Sequence, residues 1–439
     1  MADFRSLLQT VVQRGFCVGC GVCASQCPKN LIIISQTPAG QYTPQLKNGG
    51  ECTACGRCVS VCPFYFENHN EDFIGEHKFR NNAAFRHTPE TGFFTDTFVG
   101  YADDKTRING ASGGALSYLL KAMLSNEMID GIITVEPHND PRKLFKYTVI
   151  NSVEGIERCA KSAYYPVELS EVLSVVKKEE KRYVLVGLPC VIKAVELARI
   201  QDPTLRKTIV YTLGLVCGQS KTQKYTEYLI TQFGVPVESV TKVTYRKKVA
   251  DRPSSDYAFE IETNDGTTLR KLWSEGVNTV WCNDFFKQKS CYFCDDVFAE
   301  CADASFMDAW LPPYSTDYRG HSLVIGRNSE ITQLFTQSWG FEPIGVNEII
   351  KSQKPALINK RGKSVQLFRT QTKVPVPQTR NFDSIDDSSR FAAFRRKYKN
   401  SQLTRSGDDS LVFKSVTRLC KNTIYKRIHR KFIRLISSK

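Results

Sequence analysis

The chain has 439 residues, of which 41% are hydrophobic and 24% are charged, and its net charge is +15. These values are ordinary for a soluble globular protein with two or three domains. No apolar run is long enough to cross a bilayer, which excludes a membrane-spanning protein. The N-terminal residues do not resemble a secretory signal. We therefore expect a cytoplasmic protein.

Sixteen cysteines are present, and their spacing indicates metal binding rather than disulfides. The pattern C-x2-C-x2-C-x3-C-P occurs twice, with the cysteines Cys17, Cys20, Cys23, Cys27 and Cys52, Cys55, Cys58, Cys62. In this motif three cysteines hold one 4Fe-4S cluster and the fourth reaches the other cluster. The motif therefore predicts two clusters, bound by Cys17, Cys20, Cys23, Cys62 and by Cys52, Cys55, Cys58, Cys27.

Residues 1–67 are predicted to form an α+β ferredoxin-like domain that holds these two clusters. Between the motifs, residues 30–46 are typical of a strand, a turn near Gly40 and a returning strand. Gly21 and Gly56 are expected to leave room for backbone N–H groups beside the cluster sulfurs. Two zinc knuckles are the alternative, but zinc sites commonly use CxxC pairs rather than this doubled motif.

The segment that follows contains a linker and a glycine-rich loop. Residues 68–95 are polar and without periodicity, and we interpret them as a surface linker. The loop INGASGGA then precedes an apolar helix, which Ser112 can cap. Backbone amides at such a helix N-terminus can bind an anion such as a flavin diphosphate, although glycine-rich turns are also common without ligands. No GxGxxG motif follows a strand, so a Rossmann site is not supported.

Four later cysteines suggest a third cluster. A strand, a helix and a strand over residues 181–218 predict a right-handed crossover with parallel strands, which places Cys190 and Cys217 at one edge of a sheet. With Cys291 and Cys294 they make four thiolates, the usual complement of a 4Fe-4S cluster. Zinc binding and simple burial are alternatives, and other cysteines could substitute for any of the four: Cys159, Cys282 and Cys301.

Several segments, in this order, resemble the β-subunit family of coenzyme F-420 hydrogenases and dehydrogenases. They are NGASGGALSYLL, AKSAYYPVEL, VGLPCVIKAV, LGLVCG and CYFCDDVFAECADASFMDAW. The resemblance covers about residues 95–375. We accordingly expect an α/β domain with a mixed, partly parallel sheet over residues 96–375. The family implies FAD bound beside a 4Fe-4S cluster, and electron transfer between the two.

The resemblance also implies roles for individual residues. FAD is expected to contact Asn109, Gly110, Ser112, Gly113, Gly114, Lys161, Ser162 and Tyr164. The cluster nearest the flavin is expected on Cys190, Cys217, Cys291 and Cys294. Where the family has the pattern ADIS-x-GD-x-W, this chain has ADASFMDAW, so that Met307 replaces a glycine. Asp303 and Asp308 remain, and they either bind substrate or brace the loop. Use of coenzyme F-420 does not follow from the resemblance.

Residues 376–439 form a basic tail that we expect to be partly helical. Residues 414–439 carry nine Lys or Arg and no acid, and apolar residues recur every three or four positions: Phe413, Val416, Cys420, Ile424, Ile428, Phe432 and Leu435. Such a cationic amphipathic helix can pack on its own domain, lie on an anionic membrane surface such as the inner membrane, or dock an acidic partner. No motif supports nucleic-acid binding.

Together these features predict an iron–sulfur flavoprotein oxidoreductase. Electrons are expected to pass from a reduced carrier such as ferredoxin through 4Fe-4S clusters to FAD, and on to an unidentified acceptor. The second hypothesis is an electron-transfer subunit without a substrate site. The third is a non-enzymatic sensor or scaffold that carries clusters. The catalytic residues are unknown, because the six histidines are scattered and no catalytic base stands out.

Overall fold

The computed structural model describes residues 2–80, 84–371, 377, 380, 382, 387–405 and 409–422. Its first part is a small α+β unit, in which strands β1 (Ile32–Gln36) and β2 (Tyr42–Leu46) pair antiparallel. This pair confirms the predicted hairpin. The helices of the unit are short, and a π-helical stretch extends the first of them: α1 (Phe4–Leu7), Leu8–Val12, α2 (Val22–Ser25) and α3 (Arg57–Ser60).

Equivalent glycines of the two cysteine repeats start α2 and α3. Gly21 and Gly56 have φ values of 78° and 75°, in the left-handed region that side chains disfavour. A Cβ atom on Gly21 would lie 2.5 Å from Oε2 of Glu168 and 2.9 Å from the backbone nitrogen of Ser170. Glycine at position 21 therefore also allows the small unit to touch the larger domain, a contact that the repeat motif does not predict.

The segment predicted to be a surface linker is folded. It contains a helix and a hairpin: α4 (Glu71–Phe79), β3 (Arg86–Thr88) and β4 (Gly92–Phe94). Ile74 and Phe79 are buried, and Lys78 forms ion pairs of 2.9 Å with Glu196 and 3.1 Å with Asp303. The structure differs from the expectation because the partners of α4 are remote in sequence and leave no local periodicity.

A mixed sheet forms the centre of the larger domain. The strands after β4 are β5 (Asp96–Gly100), β6 (Gly131–Asp140), β7 (Lys143–Ile150), β8 (Tyr183–Gly187), β9 (Ile209–Leu215), β10 (Val240–Lys247), β11 (Ala258–Thr263), β12 (Thr268–Leu272), β13 (Ala304–Asp308), β14 (Ser322–Gly326) and β15 (Phe341–Pro343). The central sheet has the order β15-β5-β14-β13-β9-β8-β6-β7, and β10-β11-β12 form a second, antiparallel sheet. Strand β9 is parallel to β8 and β13, and β8 is parallel to β6. The mixed, partly parallel sheet is therefore confirmed.

The helices of this domain pack on the sheets or form the connections. They are α5 (Asp104–Asn109), α6 (Ala115–Ser125), α7 (Val153–Cys159), α8 (Ser170–Val176), α9 (Pro189–Gln201), α10 (Pro203–Thr208), α11 (Gln223–Thr231), α12 (Val277–Cys282), α13 (Pro312–Ser315), α14 (Ser329–Thr336), α15 (Val346–Ser352), α16 (Lys354–Arg361) and α17 (Lys363–Thr370). Helix α6 buries Leu119 and Met123 in the core. The expected cap of α6 is wrong, since Gly114 is the N-cap residue and the Ser112 hydroxyl donates to the His321 carbonyl, 2.7 Å away.

The described part of the tail packs on the larger domain. Helix α18 (Phe391–Leu403) places the ring of Tyr398 5.0 Å from that of Tyr292. Residues 409–422 are also helical, and Val412 and Val416 are buried. The predicted amphipathic helix beyond residue 422 lies outside the described residues. Among the helices that are described, none has the length and apolar character needed to cross a membrane.

Candidate functional site

The small unit brings its eight cysteines into two groups of four. Burial raises the pKa of Cys23, and the nearby thiols of Cys20, Cys17 and Cys62 raise it further. Each group lines a cavity of its own: Cys17, Cys20, Cys23 and Cys62 line one, and Cys27, Cys52, Cys55 and Cys58 line the other. The fourth cysteine of each motif thus lies with the first three of the other, which is the arrangement that the motif predicts.

The chemistry of these thiols fits a bound cluster. Burial raises the pKa of Cys17 to about 12 and that of Cys58 to about 12, with further contributions from neighbouring thiols. Four such groups are ionised together only when metal cations balance their charge. Among the described residues, no three Cys, His, Asp or Glu are placed to hold a single metal ion. A 4Fe-4S cluster has four irons and four cysteine ligands, so its ligands need not converge on one ion.

Backbone N–H groups donate to thiols at matching positions of the two repeats. The Gly19 N–H donates to Sγ of Cys17 and the Ala54 N–H donates to Sγ of Cys52, both at 3.4 Å. Each donor lies two residues after its cysteine, so the local turn of the motif creates both contacts. Hydrogen bonds to sulfur favour the thiolate and are among the features that set cluster potentials.

The larger domain brings a third group of four cysteines together. Cys190 lies in the first turn of α9, after β8, and Cys217 follows β9. Cys291 lies in the 3-10 turn Lys289–Tyr292. Burial raises the pKa of the Cys190 thiol, and three further thiols raise it, first Cys294, then Cys217 and Cys291. The four cysteines proposed from sequence are therefore neighbours, at the carboxyl edge of two parallel strands.

The cysteines considered as substitutes lie elsewhere. Cys301 is buried in the core, where its charged neighbours are those of the α4 contact, such as Glu71. Cys159 ends α7, and Glu136 is its acidic neighbour. Cys282 ends α12 and is exposed. The thiols that raise the pKa of Cys190 most are those of Cys294, Cys217, Cys291 and Cys20.

The third group lies next to the first. The thiol of Cys20 also contributes to the raised pKa of Cys190. Tyr147 is buried close to both, because burial raises its pKa and the same two thiols, Cys190 and Cys20, raise it further. The Leu169 N–H donates to the Cys20 carbonyl at 2.9 Å, which joins the two parts of the chain at this point.

A buried lysine contacts the third group, and the sequence analysis missed it. Lys360 on α16 is 2% exposed, and its Nζ donates to Sγ of Cys294 at 3.2 Å and to the Asp296 carbonyl at 2.5 Å. The Ser220 N–H donates to Sγ of Cys291 at 3.2 Å. A lone lysine in a helix carries no sequence signal for such a contact.

Buried ion pairs hold the loop that carries Cys294. Arg380 pairs with Asp295 at 3.0 Å and with Glu300 at 2.6 Å, and Arg361 pairs with Glu300 at 2.5 Å. Arg369 donates to the carbonyls of Tyr292 and Cys294. Since buried charges must be paired, these contacts restrict the loop to one arrangement.

The glycine-rich loop contacts its own domain closely. The Asn109 side chain donates to the Glu157 carbonyl at 2.7 Å. Gly110 follows α5 in an extended conformation. A Cβ atom on Gly113 would lie 2.5 Å from the Ser322 nitrogen and 2.6 Å from the Gly100 carbonyl oxygen, and Gly114 has a φ of 85°. Packing on the sheet thus accounts for Gly113, and the left-handed turn accounts for Gly114.

Two lysines contact carbonyls of this loop. Lys161 Nζ donates to the Ile108 carbonyl at 3.4 Å, and Lys248 Nζ donates to the carbonyls of Ser112, at 2.7 Å, and Arg107. Burial, together with nearby cations, lowers the pKa of Lys161 to about 8 and that of Lys248 to about 7. Lys248 was missed in the sequence analysis. Crowded cations of this kind attract an anion.

Aromatic rings and an arginine lie close to these lysines. The hydroxyl of Tyr164 interacts with the side chains of Tyr257 and Ser162. Arg246 forms a two-point ion pair with Asp308, at 2.8 and 2.6 Å, and its guanidinium lies 4.7 Å from the ring centre of Tyr257. Within the described part of the chain, the buried Nε of Arg246 has no hydrogen-bond partner. A buried donor without a partner is costly, and a ligand oxygen would satisfy it.

The two aspartates of the ADASFMDAW segment have different surroundings. Asp303 accepts hydrogen bonds from the Thr212 N–H at 2.8 Å and from the Thr212 hydroxyl, and it also pairs with Lys78. These contacts brace the sheet. Asp308 instead pairs with Arg246, near Tyr164 and Lys248.

Trp281 and Lys221 connect the third cysteine group with Tyr164. On one side, the ring of Trp281 is 4.6 Å from that of Tyr164. On the other side, Lys221 Nζ lies 4.8 Å from the Trp281 ring and donates to the Phe285 carbonyl at 2.8 Å. Lys221 follows Ser220, whose N–H contacts the Cys291 thiol.

Two parts of the chain match known protein families. Residues 97–174 and 180–341 match the N-terminal and C-terminal family models of the coenzyme F420 hydrogenase/dehydrogenase beta subunit, and residues 16–65 match the 4Fe-4S dicluster domain. A curated relative, the coenzyme F420-dependent sulfite reductase of Methanocaldococcus jannaschii, is 24% identical over 255 residues, which cover 55% of this chain. The match spans 36% of that relative's length.

Among solved structures, a chain of the F420-reducing [NiFe] hydrogenase complex from Methanosarcina barkeri is similar, with 19% identity and a TM-score of 0.49. The match covers 66% of this chain and 95% of that chain. The two beta-subunit models together span most of the larger domain, and the dicluster model spans both cysteine repeats. The chain therefore belongs to the coenzyme F420 hydrogenase/dehydrogenase beta-subunit family and carries a 4Fe-4S dicluster domain at its N-terminal side.

Proposed function

We propose that this chain is an iron–sulfur flavoprotein oxidoreductase that passes electrons from a reduced carrier protein through three 4Fe-4S clusters to FAD and on to a further acceptor. The observation that carries the proposal is that the cysteine groups and the region of the glycine-rich loop adjoin one another in space. The first and second cysteine groups share the dicluster domain, and the third group lies next to the first. Trp281 and Lys221 link the third group to the lysines, tyrosines and arginine beside the glycine-rich loop.

Each cysteine group has a distinct place in this proposal. Cys52 and Cys55 are exposed, so their group is the point at which a carrier protein docks. Cys17, Cys20, Cys23 and Cys62 would hold the next cluster, which adjoins the third group through Cys20 and Cys190. Cys190, Cys217, Cys291 and Cys294 would hold the third. The chain's contribution is to keep these ligand groups adjacent and, by burial, to exclude water from the inner two.

The lysines, aromatic rings and arginine beside the glycine-rich loop would form the pocket that holds the flavin. Lys161 and Lys248 suit a diphosphate, together with the amides of Gly113 and Gly114 and the side chains of Asn109 and Ser112. The rings of Tyr164 and Trp281 suit a flat ring system, and the unpartnered Nε of Arg246 suits a ring carbonyl or a phosphate oxygen. A bound flavin supplies the ability to exchange both single electrons and pairs.

A deazaflavin of the F420 type is the first acceptor to test. The support is the family description and the name of the curated relative, both of which mention coenzyme F420. The alternative of a relay subunit without its own substrate site is less favoured, because the lysines and the buried Arg246 nitrogen beside the glycine-rich loop offer hydrogen-bond donors to a ligand.

The decisive experiment is anaerobic purification and cluster reconstitution, with iron, acid-labile sulfide and flavin measured per chain. We expect about twelve irons and one flavin, because each cluster contains four irons. Cys217→Ala should reduce the iron content by about four, whereas Cys159→Ala, which lies outside the groups, should leave it unchanged. About eight irons and no flavin, with FAD supplied, would refute the flavoenzyme proposal and leave a two-cluster relay.

A further inference from the structure

The contact between Lys360 and Cys294 distinguishes the third cysteine group from the other two. Lys360 is 2% exposed, and its ammonium group lies 3.2 Å from Sγ of Cys294. The described hydrogen bonds to thiols of the dicluster domain come instead from neutral backbone N–H groups of Gly19, Leu31 and Ala54, each at 3.4 Å. A full positive charge therefore adjoins the third group in surroundings that exclude water. Of the charged residues around the Cys294 thiol, Lys360 acts on it most strongly, ahead of the opposing carboxylates of Asp296 and Asp295.

We infer that Lys360 raises the reduction potential of the third 4Fe-4S cluster above those of the two clusters of the dicluster domain. This inference rests on the proposed function. Reduction adds one electron, which the reduced carrier supplies, and no bond forms or breaks. A buried cation beside a ligand sulfur stabilises the added negative charge more than it stabilises the oxidised state, because the low local dielectric leaves the attraction largely unscreened.

The position of Lys360 supports a role beyond packing. Its Nζ also donates to the Asp296 carbonyl at 2.5 Å, so the ammonium is fixed between the backbone after Cys294 and the thiol itself. Helix α16 holds it, and the adjacent Arg361 is anchored by its 2.5 Å ion pair with Glu300. A higher potential at the third cluster would draw electrons inward, away from the exposed Cys52 and Cys55 and toward the pocket. Lys360 is thus a positioning residue for electron flow.

The test is an anaerobic redox titration of the reconstituted full chain, followed by electron paramagnetic resonance of each cluster. In Lys360→Met the third cluster should become harder to reduce, by about tenfold or more in the ratio of reduced to oxidised cluster at a fixed potential, which is ~59 mV for one electron. The signals of the other two clusters should not shift. Lys360→Arg retains the charge and should stay near the wild-type potential, and Lys354→Met, which removes an exposed lysine of the same helix, should have no effect.

Iron content separates the possible failures. A wild-type chain with eight irons would mean that the proposed function fails. A twelve-iron Lys360→Met variant with an unshifted third potential would overturn the inference alone. If Lys360→Met loses four irons, Lys360→Gln, which retains a neutral donor, replaces it in the titration. Loss of four irons in both neutral variants, but not in Lys360→Arg, would show that the charge serves assembly rather than potential, and would also overturn the inference.

Discussion

At the residue scale, Lys161 and Lys248 make the charge beside the glycine-rich loop sensitive to pH. Lysine in water has a pKa of about 10.4, and burial lowers that of Lys161 to about 8 and that of Lys248 to about 7. A bound diphosphate would favour the charged lysines and raise both values. Proton loss above pH 7 to 8 therefore removes the positive charge that attracts an anion.

We expect the affinity for inorganic pyrophosphate to fall by about tenfold between pH 7 and pH 9, since a hydrogen bond to a charged group contributes about 1.5–3 kcal/mol. Calorimetric titration of the reconstituted protein across that range measures it. Lys248→Met should bind weakly at pH 7 and show a smaller pH dependence, whereas Lys354→Met should behave as wild type. Equal affinity at pH 7 and pH 9 would contradict the assignment of an anion to this pocket.

In the protein without a bound anion, the same lysines change the free energy of unfolding with pH in the opposite direction to the anion affinity. Because their pKa values in the folded protein lie below the unfolded value, the unfolded chain binds more protons between about pH 7 and pH 10. The contribution of these two groups to the free energy of unfolding therefore increases as the pH rises through that range. Anion affinity and anion-free stability thus respond to pH in opposite directions.

At the scale of elements, the contact between α2 and the larger domain can be tested with a matched pair of glycines. Gly21 and Gly56 have nearly the same φ and start equivalent helices. A Cβ atom on Gly21 would meet Glu168 and Ser170 at 2.5 and 2.9 Å, whereas the nearest atom to a Cβ on Gly56 is the Ala2 carbonyl oxygen at 3.2 Å. The pair therefore separates backbone strain from the inter-domain contact.

Both Gly→Ala variants should lose about 1–2 kcal/mol through the left-handed conformation. Gly21→Ala should lose a further ~1–3 kcal/mol by overpacking against residues 168–170. Anaerobic scanning calorimetry of the cluster-loaded chain should therefore show a clearly lower melting temperature for Gly21→Ala than for Gly56→Ala. Equal melting temperatures would mean that the contact with the larger domain contributes little.

The elements that could be predicted from sequence are those with local signals. The cysteine repeats, the hairpin, and the strand–helix–strand crossover from β8 through α9 to β9 each depend on spacing or periodicity within some 40 residues or fewer. Helix α4 was missed because its polar surface hides two buried apolar residues and ion pairs with Glu196 and Asp303. The prediction that Ser112 caps α6 is wrong because its hydroxyl donates to the carbonyl of His321, a residue remote in sequence that the loop itself does not indicate.

The candidate site likewise contains residues that could be predicted from the sequence and residues that could not. The third cysteine group could be assembled from sequence because two members follow strands that had to be parallel neighbours. Lys248, which follows β10, and Lys360 could not be found, because a lysine normally faces solvent. Only the tertiary fold places Lys248 on the loop carbonyls and Lys360 on the Cys294 thiol.

At the scale of the whole molecule, the proposed function makes the exposed cysteine group the point at which an electron carrier would approach. Cys52 and Cys55 are exposed, and Lys29 lines the same cavity and is also exposed. Arg57, at the start of α3, is exposed as well, and Glu51 is the acidic residue of the same loop. With a net charge of +15 on the chain, an acidic carrier protein is attracted both at long range and at this edge.

Reversing the two local charges tests this entry point. In Lys29→Glu/Arg57→Glu, the rate of reduction by an acidic ferredoxin at low salt should fall by roughly tenfold, because electrostatic steering acts mainly on the association rate. Added salt should narrow the difference, since it screens the steering. Stopped-flow absorbance of the clusters measures the rate. The matched control Lys354→Glu changes one exposed charge on α16 and should have a small effect.

Reduction by dithionite separates docking from cluster damage. Dithionite is a small reductant that needs no protein interface, so its rate with the double variant should stay within a few-fold of wild type if both clusters of the dicluster domain remain intact. A ferredoxin rate that is unchanged while the clusters are intact would place the entry point elsewhere. The next surface to test would then be helix α18, whose Arg395, Arg396 and Lys399 are exposed and which packs on Tyr292 beside the third cysteine group.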